Sequence, residues 1–263
     1  MNFSTLQVAP TPDQPGVQIV SLHRPDAMNA MNTRMFEELS EVYRQAAHQP
    51  DLRCVVLTGS GVRAFSVGAD LKERNGMSDA TWRAQHQVIE EAFLLVHDCP
   101  IPTIAALEGH AHGGGLELAL MCDFIIAGDG ATCSLPEVRR GIMPGGGGVQ
   151  NLVRRAGLAR AKQLLFTGGR FDASQGLAMQ VFNEVVPAGT ALTRALGVAA
   201  EIVASAPMSV RYVKLAAGRG GEVDFHTGYA LDIAAYNVLV SSADRHEGVA
   251  AFNEKRAPQW LNR

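Results

Sequence analysis

Apolar positions along this chain follow two rhythms. Short unbroken apolar runs recur: VQIVSLHR ending at Arg24 and closed by Pro25, LRCVVLTG at 52–59, IPTIAALEG at 101–109 and DFIIAG at 123–128. Runs of this length bounded by turn residues read as strands buried on both faces. Between them lie helical spacings. Asn32 suits an N-cap, after which Met35, Leu39, Val42, Tyr43 and Ala46 share one face, and Pro50 stops the helix. A second helix is predicted over 78–97, with Val88, Ala92, Leu95 and Val96 facing inward, and a third over GGGLELALM at 113–121. Strand–helix–strand order with apolar strands predicts parallel β/α units. Beyond Gly145 helices dominate, over 148–155, 158–166, 173–179, 191–205, 208–217, 226–240 and 244–255. Only 183–186 looks strand-like there. The Pro-containing stretch 10–16 reads as a loose leader. The pattern gives an α/β core and a helical C-terminal third that covers the core or makes subunit contacts.

Composition narrows the function classes. The 263 residues are 47% hydrophobic and 19% charged, a globular mix long enough for one large domain or two small ones. Lys and Arg number 23 against 26 Asp and Glu, a net charge of −3. That balance offers no electrostatic footprint for nucleic acid and no polybasic membrane patch. Cys54, Cys99, Cys122 and Cys133 form no C-x-x-C pair and sit in apolar stretches, so they read as buried thiols in a reducing compartment. The N-terminus shows no basic segment followed by an apolar core, and no apolar run approaches the length of a membrane span. The expectation is a soluble cytoplasmic protein.

Three glycine-rich segments are candidates for chemistry. GSGVRA at 59–64 fits a dinucleotide fingerprint by letters alone. The FSVGADL that follows opens no amphipathic helix, so a plain turn is preferred. HGGGLELALMCD at 112–123 places glycines before a helix, which bares backbone N–H groups and adds positive potential, good geometry for an oxyanion. A serine hydrolase also uses HGGG but needs a G-x-S-x-G elbow, and the sequence has none. Glu117, between Leu116 and Leu118, is either a first-turn glutamate held by the helix dipole or a functional carboxylate. In SLPEVRRGIMPGGGG at 134–148, Glu137 is either an exposed loop acid pairing with Arg139 or Arg140, or a second functional carboxylate. Its four glycines lack the Lys-Ser/Thr of a Walker loop. His110 and His112 form an H-x-H pair without a zinc-protease signature, so no metal site is predicted. Arg24, Lys72 and Lys162 read by default as solvated surface charges.

Taken together, HRPDAMNAMN (23–32), AFSVGADLKE (64–73), IPTIAALEGHAHGGGLELALMCDFIIA (101–127), LPEVRRGIMPGGGGVQNLVR (135–154) and DRHEGVAAFNEKRAP (244–258) resemble the enoyl-CoA hydratase/isomerase (crotonase) superfamily. The resemblance spans nearly the whole chain. IMPGGGG and VDFHTGYALD are similar to the methylglutaconyl-CoA hydratase branch. The resemblance implies a crotonase-type β/α spiral core over 1–200 and a helical C-terminal region over 201–263 that covers the site and makes subunit contacts. It implies an acyl-CoA substrate, no separate cofactor because CoA arrives with the substrate, and a homotrimer or homohexamer. The backbone N–H groups of Ala69 and Gly114 match the oxyanion hole, and Glu117 and Glu137 match the two catalytic glutamates. Arg24, Ala27, Ser66, Gly68, Asp70, Leu71, Lys72, Gly113, Pro136 and Gly145 fall where the family binds substrate and CoA. Two departures concern the acyl pocket: His112 stands where an aliphatic residue is usual, and Val67 where Ala or Gly is common. The implied activity is hydration of a 2-enoyl-CoA. The alternatives are double-bond isomerisation, or acyl-CoA binding without turnover.

Overall fold

The computed structural model describes residues 3–263. The chain opens with a hairpin of β1 (Leu6–Pro10) and β2 (Val17–Leu22), followed by α1 (Thr33–His48), β3 (Cys54–Gly59), the short β4 (Ala64–Ser66), one-turn α2 (Leu71–Arg74) and α3 (Asp79–His97). Then come β5 (Thr103–Leu107), β6 (His110–His112), α4 (Gly114–Met121), β7 (Phe124–Gly128) and β8 (Thr132–Ser134). A helical half follows: α5 (Gly148–Ala156), α6 (Leu158–Thr167), β9 (Arg170–Asp172), α7 (Ala173–Ala178), β10 (Glu184–Val186), α8 (Ala191–Val203), α9 (Pro207–Gly220), α10 (Phe225–Val240) and α11 (Ala243–Glu254).

The main sheet runs β1-β2-β3-β5-β7-β10, parallel throughout except for the β1–β2 hairpin. Successive residues of a strand face opposite sides. Val55 and Leu57 enter the larger core with α1, α3 and α4, whereas Cys54 and Val56 face a second core capped by Ala191, Ala195 and Ala199 of α8. Cover on both faces is why these strands read as continuous apolar runs. The alanines, four residues apart, form a small-residue stripe that seats α8 on the sheet. All four cysteines are buried free thiols.

Two features depart from the sequence reading. The stretch 10–16 is a structured hairpin connection, closed by Thr11 N–H donating to the Val17 carbonyl and Val17 N–H donating to that of Gln14 (both 3.1 Å). Its partner β1 is an edge strand with one buried residue, Leu6, too weak a pattern to read. A second sheet, β4-β6-β8-β9, was also not anticipated, because its strands are three residues each. On α3 the buried face is Gln85, Ile89, Ala92, Phe93 and Val96, with Val88 and Leu95 at its margin. The C-terminal region is tied to the core by Lys214, which bonds Asp123 (2.7 Å) and the Ile101 carbonyl (3.1 Å), and by Asn262, which donates to the Pro50 carbonyl (2.9 Å). Among the described residues no single helix is long and apolar enough to cross a membrane.

Candidate active site

The site forms where the loop after β4 meets the start of α4. Ser66 Oγ donates to the Asn29 carbonyl (2.8 Å) and accepts the Gly68 N–H (3.1 Å). Gly68 has φ +93°, and a Cβ there would lie 2.8 Å from the His112 carbonyl and 3.0 Å from the Gly114 nitrogen. Only glycine lets the two loops touch in this way. Bonds from Met31 N–H to the Gly68 carbonyl and from Asp70 N–H to the Met31 carbonyl (both 2.8 Å) clamp the loop on either side of Ala69. The Ala69 N–H is left without a partner among the described residues. So is the N–H of Gly114, the first residue of α4, where a helix has no internal acceptor to offer. A Cβ at Gly114 would lie 3.6 Å from the Ala69 nitrogen, so the two bare donors are neighbours. Both residues line one cavity of about 500 Å³.

Two carboxylates enter the same cavity. Glu117, one turn into α4, is 5% exposed. Its Oε1 accepts N–H groups from Gly146 (2.8 Å) and Gly148 (3.0 Å), leaving Oε2 uncommitted. Burial raises its pKa to about 7 and neighbouring Glu137 adds to the rise, while the two backbone donors and Arg74 pull the other way. Glu137 opens a 3₁₀ turn, Glu137–Arg140. Its Oε2 is buried without a protein partner among the described residues, and burial raises its pKa as well, against the pull of its own backbone N–H and of Arg140. The Glu117 carboxylate is tied to the glycine loop, and Glu137 does not pair with its arginines, which bond the carbonyls of Thr167 and Pro136. The glycine run is explained by close approach: a Cβ at Gly146 would meet the Phe93 ring at 2.2 Å, and one at Gly148 would meet Glu117 at 2.8 Å.

Of the residues marked for substrate and CoA, Gly68, Leu71, Gly113, Pro136 and Gly145 line the cavity; Arg24, Ala27, Ser66, Asp70 and Lys72 do not. Arg24 is paired with Asp70 (2.8 Å), and Asp70 caps α2 through the Lys72 N–H (3.0 Å). Ser66 is wholly buried as a loop support, Ala27 closes a 3₁₀ turn, and Lys72 is exposed on α2. Trp82, His86, Ile89 and Phe93 of α3 form one wall. Within this chain, none of the described residues beyond Gly146 lines the cavity. Arg74 was missed in the sequence. Its guanidinium lies 4.3 Å over the Trp82 ring, and its Nε donates to Gln85 Oε1 (2.8 Å). Its place four residues after the Asp70 cap is the only signal that could have found it. His112 and Val67 both line the wall. His112 stacks on His110, shares a hydrogen bond with Ser134 (2.9 Å), and has its pKa lowered to about 4, first by burial and then by electrostatic interaction with its neighbours, the Arg170 and Arg140 guanidinium groups among them.

A family model described as Enoyl-CoA hydratase/isomerase matches residues 13–263. The chain belongs to the enoyl-CoA hydratase/isomerase family. It is similar to enoyl-CoA hydratase domain-containing protein 2, mitochondrial, of Mus musculus, at 39% identity over 98% of this chain and 88% of that protein. It is 37% identical to the enoyl-CoA isomerase/hydratase fer4 of Mycosarcoma maydis, over 92% of both chains. The crystal structure of an enoyl-CoA hydratase from Bacillus anthracis superposes with a TM-score of 0.96 at 38% identity, covering 99% of this chain and 100% of that one. The crotonase-type α/β fold implied by the sequence is therefore the fold of the protein.

Proposed function

We propose that the chain adds water across the double bond of 2-enoyl-CoA thioesters, giving 3-hydroxyacyl-CoA, and catalyses the reverse reaction. The observation that carries this reading is two neighbouring bare N–H groups, at Ala69 and Gly114, opening on a cavity that also holds Glu117 and Glu137. The thioester carbonyl takes hydrogen bonds from both donors. Negative charge grows on that oxygen as the enolate forms, and fixed donors stabilise it without reorganising. Oε2 of Glu117 removes a proton from water, whose oxygen bonds to Cβ. The double-bond electrons move toward the carbonyl oxygen, and protonated Glu137 returns a proton to Cα. A proton passing from Glu117 to Glu137 restores the starting state, so the two titrate as a pair. CoA travels with the substrate and no other cofactor takes part. The exposed apolar residues Phe225, Tyr229, Tyr236 and Val238 of α10 support assembly as a trimer or hexamer, and we place the enzyme in the cytoplasm.

Purified protein mixed with crotonyl-CoA and a panel of branched and aromatic enoyl-CoA thioesters is expected to bleach the conjugated thioester absorbance of at least one of them. Bleaching of none overturns the reading. The name of the Mycosarcoma maydis relative favours a second reading, a shift of the double bond from the 3- to the 2-position. One carboxylate can shuttle that proton, so Glu117→Gln and Glu137→Gln tested separately discriminate. Hydration fails with either change, whereas isomerisation survives one of them.

A further inference from the structure

The far end of α4 borders a second cavity, larger than the first at about 630 Å³. Gly114 and Glu117 of α4 face the active cavity, while Leu120 and Met121 at its other end face this one. Its opposite wall is α9. Two of the α9 cations there are neutralised in place: Lys214 by Asp123 (2.7 Å) and Arg219 by Asp98 (2.9 Å). Arg155 spends its Nη atoms on the carbonyls of Val181, Cys122 and Asp123.

Arg211 is different. Among the described residues its guanidinium makes no hydrogen bond and no ion pair, its Nη2 is shut off from solvent, and another cation, Arg53, is its charged neighbour. Oδ1 of Asn262, in the same wall, is likewise buried without a partner. A guanidinium keeps its charge at any working pH, and leaving one of its donors buried and unmatched is costly. A carboxylate is the planar anion that fits its fork. Leu120, Met121, Met208 and Leu215 supply an apolar lining beside it, and the volume is that of a small-molecule site.

We propose that this cavity is a second ligand site, distinct from the active cavity, for a monocarboxylate with a short apolar chain whose carboxylate sits on Arg211. The chain lies against the α4 and α9 side chains. Octanoate is the probe, with inorganic phosphate as an anion lacking a chain. Isothermal titration of the full-length protein, saturated with butyryl-CoA to fill the active cavity, is expected to show saturable octanoate binding and far weaker phosphate binding. Arg211→Met should weaken octanoate binding by about tenfold or more while enoyl-CoA turnover without octanoate stays unchanged. The proposal is overturned if octanoate does not bind, if butyryl-CoA displaces it, if Arg211→Met binds it equally well, or if phosphate binds as tightly. A crystal structure grown with octanoate adds an independent reading: density on Arg211 supports the site, and water alone or a segment of a second copy there rejects it.

Discussion

Oε1 of Glu117 accepts the N–H of Gly146 at 2.8 Å, so α4 and the glycine loop are joined through the same side chain that is proposed as the base. Gln at position 117 keeps an oxygen for that bond and for the Gly148 N–H, but cannot take a proton from water. Glu117→Gln is expected to retain the fold and lose roughly 10²–10⁴ in kcat, the usual worth of a positioned base. Stability moves the other way. The folded pKa of Glu117 is raised to about 7 from 4.5. Its protonated form therefore suits the fold below pH 4.5, and that advantage is lost as pH rises through 7. The variant, neutral at every pH, should melt above the parent at pH 8 and together with it near pH 4. Melting curves showing no such convergence toward low pH would contradict the burial argument.

At position 114 the backbone N–H is predicted to matter more than the lack of a Cβ. A Cβ at this position meets only the flexible end of Met31, at 3.3 Å, before the Ala69 nitrogen at 3.6 Å. Proline suits the first turn of a helix and lacks the donor. Gly114→Pro should lose about 10²–10³ in kcat, roughly 3–4 kcal/mol, with the helical circular dichroism unchanged. Gly114→Ala keeps the donor and is the control. Equal losses in the two variants would show that crowding, not the N–H, limits the rate.

The central strands of the main sheet were legible because they are sandwiched, and the candidate site was legible because its backbone demands are severe. Gly68, Gly113 and Gly146 stand where a Cβ would strike the His112 carbonyl, the Glu137 carboxylate and the Phe93 ring, so the letters themselves carry the geometry. What stayed hidden depends on long-range packing. The strands of β4, β6, β8 and β9 are too short for a period. Arg74 reaches the cavity only because Trp82 and Gln85, from another helix, hold it there. Of the five residues marked for CoA that lie outside the cavity wall, three are spent elsewhere: Arg24 and Asp70 satisfy each other, and Ser66 supports the loop that positions Ala69.

Arg74 is expected to set the pH at which the site works. Its positive charge lowers the pKa of Glu117, so removing it should raise that pKa and move the acid limb of the kcat/KM profile upward. Arg74→Met keeps a long apolar side chain against Trp82. Activity should fall on the acid side, where less of the base is ionised, with little change on the alkaline side. A profile lowered equally at all pH values would mean that Arg74 acts through shape or substrate contact instead.

Glu38, on the buried face of α1, holds the N-terminal edge of the fold. Its Oε1 accepts the Ser4 N–H (2.8 Å), the Ser4 hydroxyl (2.9 Å) and Arg34 Nε (2.9 Å), and its Oε2 accepts the Thr5 N–H (2.9 Å) and hydroxyl (2.6 Å). The side chain is 1% exposed. Burial pushes its pKa up, but the bonds from Thr5 and Ser4 outweigh that and bring it down to about 2 from 4.5. A carboxylate lowered in the folded state contributes stability that is present above pH 4.5 and lost as pH falls toward 2. Glu38→Ala leaves the Thr5 donors buried and unmatched, which costs about 2–3 kcal/mol, or roughly 5–10 °C in Tm for a chain of this size. Melting at fixed protein concentration should show that deficit in full at pH 7 and see it shrink between pH 4.5 and 2. A deficit that holds constant to pH 2 would assign the effect to lost packing on α1, since packing does not titrate.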